Sequence, residues 1–112
     1  MRRSLWLAAV AVAATTTLGA VAAARLPAGL DAAHHAYYDE QFDRSLALYE
    51  RLAAAGDPVA AERAGFMRLV GEPLYGPRVQ RDAERAHALL LQAARAGRPG
   101  AAFLIGMLER TE

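Results

Sequence analysis

The sequence predicts an all-α protein, a short stack of helical hairpins, and three observations carry that reading. After residue 24 the strong helix formers Ala, Leu, Arg and Glu dominate and β-branched residues are scarce. Apolar residues recur at three- and four-residue spacing between glycine and proline breaks. Finally, residues 43–68 are echoed by residues 84–109.

The first element lies outside that stack. Met1-Arg2-Arg3-Ser4 is a positive n-region, Leu5 to Ala24 contains no charge, and Ala22-Ala23-Ala24 gives the small-x-small pattern of a signal-peptidase site. Residues 1–24 therefore read as a signal peptide, and residues 25–112 as one exported domain, periplasmic or secreted. An uncleaved inner-membrane anchor is the alternative, since twenty uncharged residues can just span a hydrocarbon core of about 30 Å. The threonines, Gly19 and many alanines make such a span weak. Arg2-Arg3 also fits a twin-arginine signal, although paired arginines after Met1 are ordinary in an n-region.

Five helices are expected in the domain. The first covers Leu30–Asp39. The second, Phe42–Ala55, aligns Phe42, Leu46, Tyr49 and Leu52/Ala53 as one buried stripe. Gly56 ends it, and Asp57-Pro58 supplies an N-cap followed by proline at the first helical position of the third helix, Pro58–Val70. The stretch Gly71-Glu72-Pro73-Leu74-Tyr75-Gly76-Pro77 is dense in breakers and reads as a loop. Asp82 caps a fourth helix, Asp82–Ala96, with the stripe Ala83, Ala86, Leu90, Ala93 and Ala94. Gly97 ends it, and Pro99 opens the fifth, Pro99–Arg110.

The echo is quantifiable. At an offset of 41 positions ten of 26 pairs are identical, including Leu48/Leu89, Gly56/Gly97, Pro58/Pro99 and Gly65/Gly106. Alanine richness inflates the count, so the glycines, prolines and the leucine pair carry the weight. Gly56 and Gly97 stand where a helix ends in a left-handed residue. Gly65 and Gly106 lie inside helices, where each costs about 1 kcal/mol against alanine. That cost makes sense if a neighbouring helix comes close, and Ala60, Ala61, Ala64, Ala101 and Ala102 suggest the same thin seams.

These residues resemble the Sel-like repeat family, a relative of the tetratricopeptide repeat. The match runs through Ala61, Gly65, Leu69, Gly71, Tyr75-Gly76, Val79, Asp82, Ala86, Leu90, Ala93-Ala94, Gly97, Ala101/Ala102 and Gly106. One full repeat is covered, 61–97, with half-matches on both sides. Arg78 replaces the family's glycine before the valine, Arg85 its lysine, and Leu89-Leu90 its Trp-Tyr pair. Residues 36–49 look more like a plain tetratricopeptide hairpin. The resemblance implies a right-handed α–α superhelix, or solenoid, of two to two and a half helical hairpins. It further implies a scaffold for protein–protein contacts without catalysis of its own.

Composition narrows the partners. All 13 basic residues are arginine and a quarter of the chain is alanine, a bias like that of a GC-rich bacterial genome. Without Arg2 and Arg3, eleven arginines face twelve acidic residues, so nothing points to nucleic acid. There is no cysteine, and an exported domain this small then depends on helix packing alone, or on a partner.

Candidate chemistry is sparse, and no enzyme activity, metal or cofactor is expected. His35 and Asp39 stand one helical turn apart, but two ligands do not make a metal site, and His34 and His35 read as exposed polar residues. His87 falls off the alanine stripe, Ser45 takes an alanine position of the repeat, and the 71–76 loop lacks a phosphate-cradling glycine spacing and a lysine. Tyr37, Tyr38, Glu62, Arg63 and Arg68 are candidates for contacts in a helical groove. Ala102-Phe103-Leu104-Ile105-Gly106-Met107-Leu108 is apolar around nearly its whole circumference, so Phe103, Leu104 or Met107 is expected to be covered. The cover would be a protein or peptide partner, a second copy in a homo-oligomer, or a membrane surface.

Overall fold

The structure, a computed structural model, describes residues 29–111. The expected signal peptide at 1–24 lies outside the described residues. Among those, six helices and no strand are found. They are α1 (29–38), α2 (Phe42–Ala54), α3 (Pro58–Val70), the single turn α4 (Glu72–Tyr75), α5 (Ala83–Arg95) and α6 (Pro99–Thr111).

The junctions form as their residues dictate. Asp57 accepts a hydrogen bond from the Ala60 amide and Asp82 one from the Arg85 amide, each at 3.0 Å. These caps satisfy amides that the first turn of a helix leaves unpaired. Gly56 and Gly97 take φ values of 101° and 93°. The Gly56 amide donates to the Ala53 carbonyl at 2.9 Å and Asp57 to Leu52 at 3.0 Å, while Gly97 donates to Ala94 at 3.0 Å and Arg98 to Ala93 at 3.1 Å. The same pair of bonds thus recurs 41 residues later, closing both helices in the same way.

The stretch read as a loop contains a turn of helix and a tight crossing. After α4 the chain folds back over the C-terminal end of α3. The Asp82 amide donates to the Arg68 carbonyl at 2.8 Å, and Arg81 Nε donates to that of Leu69 at 3.1 Å. Gly71 makes the crossing possible, with φ at 68° and the site of a β-carbon only 2.5 Å from the Arg81 amide nitrogen. The breakers end α3, but Glu72-Pro73 begins a new turn because proline suits the start of a helix.

α3 is the central element: it packs most extensively on α5, then on α2, and α6 packs on α5. The core is built from Tyr49, Met67, Val79 and Leu90 set among alanines of all the long helices. A β-carbon at Gly65 would stand 2.7 Å from Leu90 Cγ and 3.2 Å from its backbone nitrogen. The expected close seam is therefore real between α3 and α5. It is absent at Gly106, where no described atom lies within 4 Å of the same position. The residue repeats, but the helix that would fill the notch does not follow it among the described residues.

Two polar ties complete the packing. Buried Ser45 donates through Oγ to the Ala33 carbonyl at 3.0 Å, and Tyr49 Oη shares a hydrogen bond with His34 Nδ1. His34 is thus half-buried and bonded rather than freely exposed, because Tyr49, on the buried stripe of α2, brings its hydroxyl to α1. Elsewhere Glu50 of α2 accepts from Arg68 Nε at 3.3 Å and Nη2 at 3.0 Å, and also from Arg85. Burial alone would raise the Glu50 pKa. The hydrogen bonds and charges of the two arginines outweigh it and hold the carboxyl below the usual glutamate range.

Candidate functional site

Three helices and one turn meet at an open cleft of about 240 Å³. Tyr37 of α1 forms one side. Glu62, Arg63, Phe66 and Met67 of α3 lie along the middle, and Gly100 and Leu104 of α6 form the other side. On α3 these residues follow i, i+1, i+4 and i+5, the spacing of one helix face. Tyr75, buried at the end of α4, closes the floor.

The floor is aromatic. The Tyr75 ring lies 5.0 Å from Phe42, 5.9 Å from Tyr37 and 6.4 Å from Phe66, each edge to face. The Tyr37 and Tyr75 hydroxyls share a hydrogen bond of 3.1 Å. Burial, and then this bond, push the Tyr75 phenol well above its ordinary pKa, so it stays neutral.

The rim is charged. The Arg63 guanidinium carbon lies 5.9 Å from the Tyr37 ring centroid, within cation–π range. Among the described residues Arg63 makes no ion pair, so its hydrogen-bond donors face solvent at the mouth of the cleft. Glu62 is held instead, accepting from Arg98 Nη2 at 2.8 Å. Its other oxygen lies 3.1 Å from where a β-carbon at Gly100 would stand, so a side chain there would crowd the carboxylate. Small-molecule pockets measure about 300–1,000 Å³. This cleft is smaller and suits one or two side chains of a larger partner.

Of the residues named from sequence, Tyr37, Glu62, Arg63 and Leu104 are brought together here. Tyr38 is 74 % exposed and stands outside, its ring perpendicular to that of Tyr37 at 6.0 Å. Arg68 does not line the groove: it points the other way, into the Glu50 pair, and donates through Nη1 to the Gln80 carbonyl at 3.3 Å. Phe103 and Met107 are 65 % and 43 % exposed on α6. Phe66, Met67, Tyr75 and Gly100 also line the cleft, although the sequence does not mark them as cleft residues. The signals were an aromatic on the same α3 face as Glu62 and Arg63, and the tyrosine of the Tyr75-Gly76 pair. Glu50 carried a signal as well, a carboxylate bordering an apolar stripe in a chain whose only fixed cations are arginines.

Among the described residues, no group of three or more His, Cys, Asp or Glu is placed to hold a metal ion. No described helix is long and apolar enough to cross a membrane. Compared with models of protein families, with curated proteins and with solved structures, the chain finds no match.

Proposed function

We propose that the chain is an exported, non-enzymatic scaffold of Sel-like helical repeats that holds a protein or peptide in the cleft between α1, α3 and α6. The observation that carries this reading is the cleft itself, an aromatic floor with an arginine at its mouth that makes no ion pair among the described residues, lined by alternate long helices of the chain. An α–α superhelix presents alternate helices on its inner face. The 41-residue echo and its duplicated capping bonds support that architecture. Export rests on the charge-free run after Arg2-Arg3 and the small residues that end it. A second reading, a structural subunit that assembles through α6, is favoured by the exposed Phe103 and Met107.

A photo-crosslinking amino acid at position 104, in the full chain in its native cells, tests the cleft. The expected result is a discrete adduct that Arg63→Glu abolishes, with none from the same group at Leu74, an exposed residue of α4. Equal labelling from both positions, or an adduct indifferent to Arg63→Glu, would refute it.

A further inference from the structure

α3 and α6 are copies at an offset of 41 residues, and each has two sides to cover. One side is covered in both. Ala60 and Ala101, and Met67 and Leu108, are buried, with α3 packed on α2 as α6 is packed on α5. The other side differs. Ala61 is fully buried and Gly65 receives Leu90 of α5, whereas Ala102 is exposed and Gly106 meets no described atom within 4 Å. The face that binds α5 on one copy is thus reproduced, with its notch, on the other.

The charges of the two copies are not the same, and the difference defines an occupant. Where α5 crosses α3, Arg85 comes beside Arg68, and the two cations are neutralised together by Glu50 of α2. On α6 the place of Arg68 is taken by Glu109, whose exposed carboxylate lies 3.9 Å from His87 Nε2 of α5. A helix docked there as α5 docks on α3 would bring its Arg85-like residue beside Glu109, a permanent cation where His87 is charged only when its ring is protonated.

We propose that the open side of α6 receives an amphipathic helix of another protein, antiparallel to α6. Its leucine sits in the Gly106 notch, and a basic residue five positions earlier, as Arg85 precedes Leu90, pairs with Glu109. Alanine-sized residues on either side of the leucine allow the approach, and Phe103 and Met107 flank the docked helix. Its position differs from that of the cleft, and it stands whether or not the cleft binds a peptide.

The chain's own α5 provides the probe. A labelled peptide of residues 79–98 is titrated against the full chain by fluorescence anisotropy. Saturable one-to-one binding is expected, weakened about tenfold or more by Gly106→Ala in the chain or Leu90→Ala in the peptide. Gly106→Ala should leave the chain at least as stable to heat, which separates a blocked notch from a misfolded helix. Glu109→Arg should weaken binding, and an Arg85→Glu peptide should restore it. Arg63→Glu, at the cleft, should leave it unchanged. The proposal is overturned if the peptide does not bind saturably, or if binding ignores Gly106→Ala. It is equally overturned if the peptide fails to bind while the chain self-associates, or adheres to lipid vesicles, through α6.

Discussion

Two alanine substitutions at equivalent glycines should change stability in opposite directions. Each replaces an interior helical glycine and so gains about 1 kcal/mol of helix propensity. At Gly65 the new methyl would lie 2.7 Å from Leu90 Cγ, 2.8 Å from Cδ2 and 3.2 Å from the Leu90 amide nitrogen. The first two atoms belong to a fully buried side chain and the third to backbone, so α5 itself must shift. Overpacking of this kind costs roughly 1–3 kcal/mol, leaving a net loss of about 1 kcal/mol. At Gly106 no described atom is within 4 Å, so the propensity gain stands alone. The two variants should thus differ by about 2 kcal/mol, and for a domain of this size each 1 kcal/mol moves Tm by about 4–8 °C. Thermal melts followed by far-ultraviolet circular dichroism measure both. A Gly65→Ala variant that melts above the parent, as Gly106→Ala should, would show that the α3–α5 seam does not need its glycine.

Acid should loosen the α2–α3–α5 junction. Because Glu50 has a folded pKa below the ordinary 4.5, its contribution is present above that pH and is lost as the pH falls beneath it. Urea melts at stepped pH should show Glu50→Gln less stable near neutrality and less sensitive to acid; an unchanged acid slope would count against the pairing. Tyr75 works in the opposite direction, since its pKa is raised above the ordinary 10.0, so stability present below pH 10 is lost as the pH rises further. An alkaline absorbance titration of Tyr75→Phe should lose amplitude on the late, high-pH side of the parent curve, and a loss at the ordinary tyrosine midpoint would place that phenol in water.

Local signals carried most of the fold. Glycine, proline and aspartate mark chemistry decided within a few residues, and α3 begins and ends where those residues place it. Contacts between distant residues were harder to read. Gly65 and Gly106 are the same letter in the same helical setting, and only the arrival of Leu90 from α5 distinguishes them. Arg68 reads from sequence as a groove residue because an arginine on a helix looks solvent-facing until Glu50 is seen beside it. The cleft was half legible, because Tyr37, Glu62, Arg63 and Leu104 stand out as aromatic, charged or unusually apolar. Its floor joins residues 37, 42, 66 and 75 from four separate elements, and no spacing along the chain announces that meeting.

The walls of the cleft are not held equally. α3 is gripped by α2 on one side and α5 on the other, whereas α6 rests mainly on α5. Helices open individually with free energies that follow such contacts, so α6 should be the first of the long helices α2, α3, α5 and α6 to lose amide protection in hydrogen exchange. Gly100 and Leu104 leave with it, and each opening removes one wall while Tyr37 and the α3 face stay in place. A ligand that grips Leu104 would bind only the closed population and slow exchange throughout α6. A helix docked over Gly106 would hold the same wall shut from behind, so the two sites would strengthen each other through the closing of one helix.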